Sequence, residues 1–116
     1  MTEFDWATLD QLTEEVGADI LPRLLRTFYG EAVAKIAEFE ALSESKGDTA
    51  AMHRAVHSLK SASGSFGATS LAALAADIEQ RIEDGAYAHD MPAIADLRAR
   101  FAAFKSAVAA RGISVA

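Results

Sequence analysis

The chain has 116 residues, 51% of them hydrophobic, no cysteine, and a formal net charge of −6 at pH 7. That length suits one domain spanning residues 1–116 with a single core, and the missing thiols exclude disulfides, thiolate metal sites and a cysteine nucleophile while fitting a reducing compartment. The acidic balance and scattered basic residues argue against a nucleic-acid partner, no apolar run approaches the roughly 18 residues that cross a bilayer, and Met1-Thr-Glu-Phe-Asp-Trp6 lacks the basic start and apolar stretch of a secretory signal.

Ala, Leu, Ile and Glu dominate the periodic segments and favour helix, so an all-α, cytoplasmic domain is expected. Phe4 to Val16 reads as a short leading helix capped by Asp5, with Trp6, Leu9 and Leu12 on one side. Gly17 interrupts it. A long helix starts near Asp19, tolerates Pro22 in its first turn, and carries Ile20, Leu24, Phe28, Ile36, Phe39 and Leu42 as apolar positions. Ser43 to Asp48 form the next break, with Gly47 as the stop and Asp48 as the following N-cap. The third helix covers Thr49 to Phe66, and Gly67-Ala-Thr-Ser70 links it tightly to a fourth, where Leu71, Leu74, Ile78 and Ile82 recur at helical spacing. Gly85 ends that helix and Ala86 to His89 connect onward. Asp90 and Pro92 open a last helix carrying Ile94, Leu97, Phe101, Phe104 and Val108, which Gly112 stops. Residues 113–116 read as a flexible tail. Short connections lay sequential helices antiparallel, so the expected architecture is an up-down antiparallel four-helix bundle with an additional short N-terminal helix.

On a helix turning about 100° per residue, Met52, Val56, Leu59, Ser63 and Phe66 form the core stripe of the third helix. His57 lies roughly 150° from the centre of that stripe, facing water, with His53, Lys60 and Gly64 on the flank between. A lone helical histidine is ordinarily a satisfied core residue or a neutral surface one, and this phase removes the core option. Gly64 costs about 1 kcal/mol relative to Ala inside a helix. A partner that must approach the backbone beside His57 gives that glycine a reason, whereas Gly67 also reads as the helix's cap. An exposed imidazole beside a fixed positive charge, on a face cleared of bulk, suits a group that receives a phosphoryl from another protein. His53 and His57 at i, i+4 could chelate a metal, but no Asp, Glu or Cys sits at the usual third-ligand spacing, so no metal site is expected. His89 reads as a plain surface residue in a loop. There is no Gly-rich phosphate loop and no Walker lysine, so neither an ATP site nor kinase activity is expected.

The run Ala55-Val-His57-Ser-Leu-Lys60-Ser-Ala-Ser-Gly64-Ser-Phe-Gly67-Ala-Thr-Ser-Leu71 resembles the signature of histidine-containing phosphotransfer (HPt) domains. That signature has a lysine one turn after the histidine, usually a glycine directly after the lysine, and a further glycine near the helix end. Leu12-Thr-Glu-Glu-Val-Gly17-Ala-Asp19-Ile-Leu21, with Leu24-Leu25-Arg-Thr-Phe28, is similar to the family's entry into its long second helix. The resemblance therefore covers nearly the whole chain.

It implies that His57 accepts a phosphoryl group from an aspartyl phosphate on the receiver domain of a response regulator or hybrid histidine kinase, then passes it to the aspartate of a second receiver. The neutral imidazole is the nucleophile, and Lys60 stabilises the negative charge spread over the phosphoryl oxygens. The receiver brings Mg²⁺, so the chain needs no cofactor of its own. His53, Ser61, Gly64 and Gly67 make up the partner-binding face, and Ser61 stands where the family more commonly has glycine. By motif alignment Glu79 matches the residue, often Gln in family members, that orients the imidazole through its other nitrogen; the plainer alternative is a solvated charge on the fourth helix. Two rival functions remain. A non-catalytic helical module that binds receivers or kinases is disfavoured by the intact His57/Lys60 pair. A dimeric kinase phosphoacceptor domain is disfavoured because one chain supplies all four helices, which favours a monomer.

Overall fold

The structure is a computed structural model that describes residues 4–87 and 91–115. The expected loop residue His89, the expected helix opener Asp90 and the last tail residue Ala116 lie outside the described residues. Five helices follow one another: α1 Trp6–Val16, α2 Leu21–Glu44, α3 Thr49–Ser65, α4 Thr69–Glu83 and α5 Met91–Ala110. No strand occurs among the described residues.

Local chemistry sets the boundaries. The Asp5 carboxylate accepts from the Thr8 N–H at 3.2 Å and caps α1, and Asp48 accepts from the Ala50 N–H at 2.9 Å and caps α3. Pro22 sits in the first turn of α2, where no intrahelical donor is lost. Gly17, Gly67, Gly85 and Gly112 all take positive φ just beyond helix ends. The end of α2 departs from expectation. Ser43 belongs to the last turn, not to the break, and is buried with its Oγ 2.8 Å from the Tyr87 hydroxyl. The left-handed residue is Lys46, at φ 52°, and not Gly47. Gly47 instead donates its N–H back to the Leu42 carbonyl at 2.8 Å, and Lys46 donates to Ser43 at 3.2 Å, closing the helix with the left-handed position one residue early.

The buried stripe of α2 is Leu21, Leu25, Phe28, Ala32, Ile36, Phe39 and Ser43. Ile20, expected in the core, is exposed, and Leu24 is only partly buried, so the first turns present the neighbouring row of apolar residues. α3 buries Met52, Ala55, Val56, Leu59 and Ser63; α4 buries Leu71, Leu74, Ala75 and Ile78; and α5 buries Ile94, Leu97, Phe101, Phe104 and Val108. These sides form one core, with the Phe28 ring stacked on Phe66 at 4.9 Å and edge-on to Phe104 at 5.9 Å.

Helices adjacent in sequence pack side by side, and α5 closes back onto α2. Contacts between helices run in opposite senses: His53 meets Glu83 while His57 meets Glu79 across α3 and α4, and Tyr29 meets Phe101 while Glu40 meets Arg98 across α2 and α5. The four long helices thus make an up-down bundle. Its 42 Å long axis is set by the 24 residues of α2, which span about 36 Å. α1 lies against one end. The Asp5 N–H donates to the Gly67 carbonyl at 2.8 Å, and the Arg111 guanidinium sits 4.4 Å over Trp6 while pairing with Asp10 at 3.0 Å. Ile113 and Val115 pack partly buried against the core, so those two residues do not hang free as the expected tail would. Among the described residues no helix is long and apolar enough to cross a membrane.

Candidate functional site

His57 projects from the outer side of α3 with 56% of its side chain exposed, opposite the core stripe. α4 runs beside it in the reverse direction and brings Glu79 under the ring. This carboxylate is only 9% exposed, and its two oxygens are divided: Oε2 lies 2.5 Å from His57 Nδ1, and Oε1 accepts from Lys60 Nζ at 2.5 Å. An ionised carboxylate can only accept, so in the neutral ring Nδ1 carries the proton and Nε2 the lone pair. No group among the described residues bonds Nε2. The ring is therefore fixed through one nitrogen and offers the other.

The Lys60 ammonium is the main cause holding the Glu79 carboxyl below its ordinary pKa, and the His57 bond adds to it; burial pushes the other way and loses. Glu79 is thus a buried, ionised group held by two cross-helix bonds, which excludes the solvated-charge alternative. Lys60 lies off the core stripe as expected, but its ammonium is tied to Glu79 and does not stand free beside the imidazole.

His53 stacks on His57 one turn away, with ring centroids 6.2 Å apart and planes 8° off parallel. Its Nε2 lies 3.0 Å from Glu83 Oε1 and 3.6 Å from Glu79 Oε2. The absence of a third metal donor was expected from spacing along α3 alone, and the fold corrects it by bringing two carboxylates from α4. Glu83 was not singled out from sequence. Its signal is the Glu79/Glu83 pair at i, i+4, matching His53/His57 on a helix that runs the other way.

Ser61 and Gly64 are exposed on α3, and a Cβ built on Gly64 meets nothing within 4 Å. Gly67 does not belong to that face. It is buried at φ 78°, and a Cβ there would collide with the Asp5 carbonyl oxygen, so its lack of a side chain serves the docking of α1 and not a partner. A cleft lined by Glu31, Lys35, Ser58 and Ala62 runs between α2 and α3.

An exposed imidazole with a free lone pair, a carboxylate behind its second nitrogen and an ammonium bonded to that carboxylate together make a nucleophile able to hold positive charge after attack. Comparison with known proteins agrees in kind. The family model described as "Hpt domain" matches residues 23–107, a span that contains His57, Lys60 and Glu79. Among solved structures, histidine-containing phosphotransfer protein B from Pseudomonas aeruginosa PAO1 is similar, with 27% identity and a TM-score of 0.78 over 86% of this chain and 85% of that one. Curated protein sequences give no match.

Proposed function

The chain belongs to the Hpt domain family, and on that premise we propose that His57 carries a phosphoryl group from the aspartyl phosphate of one receiver domain to the aspartate of another. A phosphotransfer role in two-component signalling follows from the family and from the likeness to a phosphotransfer protein. Proteins of this family are phosphocarriers rather than enzymes with ATP sites, and Hpt domains interact with receiver domains.

The Nε2 lone pair of His57 attacks phosphorus. An N–P bond forms as the P–O bond to the receiver aspartate breaks, and that aspartate leaves as a carboxylate. No proton has to leave the ring, because Nδ1 keeps its own. The imidazole becomes cationic, and the Glu79 carboxylate at 2.5 Å from Nδ1 supports that charge. Attack by a second receiver's aspartate reverses each change. Lys60 has three N–H donors, of which Glu79 takes one; the others serve the phosphoryl oxygens. Mg²⁺ comes with the receiver. Ser61 and the bare backbone at Gly64 let the receiver approach the His57 face, and the protein acts as a monomer.

The observation that carries this reading is an exposed ring whose inner nitrogen is held by a buried carboxylate. The test is incubation with a phosphorylated receiver domain, followed by gel detection of label that is labile in acid and stable in base. The parent protein takes such label and His57→Gln takes none. Label persisting on His57→Gln would sink the proposal, and a parent that binds the receiver but stays unlabelled is a non-catalytic interaction module.

A further inference from the structure

α3 offers His53 and His57 one turn apart, and α4 offers Glu79 and Glu83 one turn apart in the opposite direction. One donor atom from each of His53, Glu79 and Glu83 lies within 4.8 Å of the other two. His53 Nε2 is 3.0 Å from Glu83 Oε1 and 3.6 Å from Glu79 Oε2. Around a tetrahedral ion with bonds of about 2.0–2.2 Å, neighbouring donor atoms stand about 3.3–3.6 Å apart. Both histidine–carboxylate separations are therefore close to those of a bound ion, and the two carboxylate oxygens, within 4.8 Å of each other, draw together to complete the set.

Charge points the same way. Two carboxylates converge on one imidazole nitrogen, which in the neutral ring carries at most one proton. Lys60 is bonded to the far oxygen of Glu79 and leaves Oε2 to face the imidazoles. Glu79 is anchored by its burial, while His53 and Glu83 are partly open to solvent and leave an entry path.

We propose that His53, Glu79 and Glu83 form a site for a divalent zinc-type ion, with water in the fourth position. An imidazole nitrogen with two carboxylates suits zinc, whereas magnesium prefers an octahedral shell of oxygen. The site shares Glu79 Oε2 with the His57 bond, so the ion competes with the group that orients His57 and slows phosphotransfer. That consequence rests on His57 being the phosphoacceptor; the binding itself does not.

The test titrates the whole purified chain with zinc chloride by calorimetry, with cobalt(II) absorption reporting tetrahedral geometry and magnesium chloride as a control. The expected result is a single zinc site, weakened about tenfold or more in His53→Gln and in Glu83→Gln. Zinc should raise the melting temperature of the parent and not of these variants. Saturating zinc should slow labelling by a phosphorylated receiver in the parent and leave Glu83→Gln unaffected. No zinc binding, or parental affinity in both variants, overturns the site. Binding that needs His53 and Glu83 but leaves labelling unchanged overturns the competition with His57.

Discussion

Glu79 bonds the His57 ring with a carboxylate, where an amide could make the same bond without the charge. The two contributions separate by substitution. Glu79→Ala removes both, and transfer from a phosphorylated receiver should slow by about 10–100-fold, the usual effect of losing the group that orients a functional imidazole. Glu79→Gln keeps an oxygen for Nδ1–H but loses the charge and the acceptor for Lys60, so its rate should fall between parent and Glu79→Ala. A Glu79→Ala protein that melts normally and transfers at the parental rate would show that the carboxylate positions nothing. The outward phase of His57 and the placement of Lys60 were legible from the period of α3. The burial of Glu79 was not, because burial depends on how α4 seats against α3, and the period of α4 alone gives only the resemblance-based alignment. Glu83 was hidden for the same reason: a cross-helix register is not written in the spacing of either helix.

Gly64 in α3 and Gly67 just beyond its end have opposite surroundings. Gly64 faces open space, so Gly64→Ala should leave the fold intact or raise stability by up to about 1 kcal/mol. Gly64→Gln should melt normally and lose transfer, because bulk then meets the docking receiver. Gly67→Ala should destabilise by about 1–3 kcal/mol, since it combines a left-handed residue with a clash against the Asp5 backbone. Thermal melts beside transfer rates decide this. A Gly64→Gln protein that exchanges phosphate normally would remove the docking-face reading, and a normal melt for Gly67→Ala would contradict the packing of α1. The helices themselves were legible because Asp5, Asp48, Gly17, Gly85 and Gly112 punctuate them. The face of α2 was not, because Ile20 with Leu24 and Leu21 with Leu25 are adjacent apolar rows, and Phe28 continues either one. Packing chose the second row.

Across the whole bundle, carboxylates paired between helices or capping a helix make stability depend on pH. The carboxyls of Glu79 and Glu40 are held below the ordinary glutamate value of 4.5, chiefly by the Lys60 and Arg98 bonds respectively, and Asp5 is lowered by its Thr8 bonds. Each binds its proton less readily folded than unfolded, so stability is fully present above the unfolded carboxyl pKa and is lost as pH falls through the lowered folded values. The melting temperature should therefore drop on acidification below that range. The gap between parent and Glu79→Gln should be widest near neutrality and close in acid; a gap that stays constant with pH would mean that the ionised carboxylate contributes nothing. The up-down topology behind these contacts was legible from connection lengths alone, whereas the Glu40–Arg98 closure of α5 onto α2, at 2.6 and 2.8 Å, joins residues too far apart in sequence for any local pattern to pair. The central claim is that His57 Nε2 is the phosphoacceptor, and the most direct measurement is nitrogen NMR of the histidine-labelled protein after phosphorylation by a receiver. The phosphoryl should appear on Nε2 of His57, with Nδ1 still protonated against Glu79. A phosphoryl on Nδ1 of His57, or on any other residue, would contradict it.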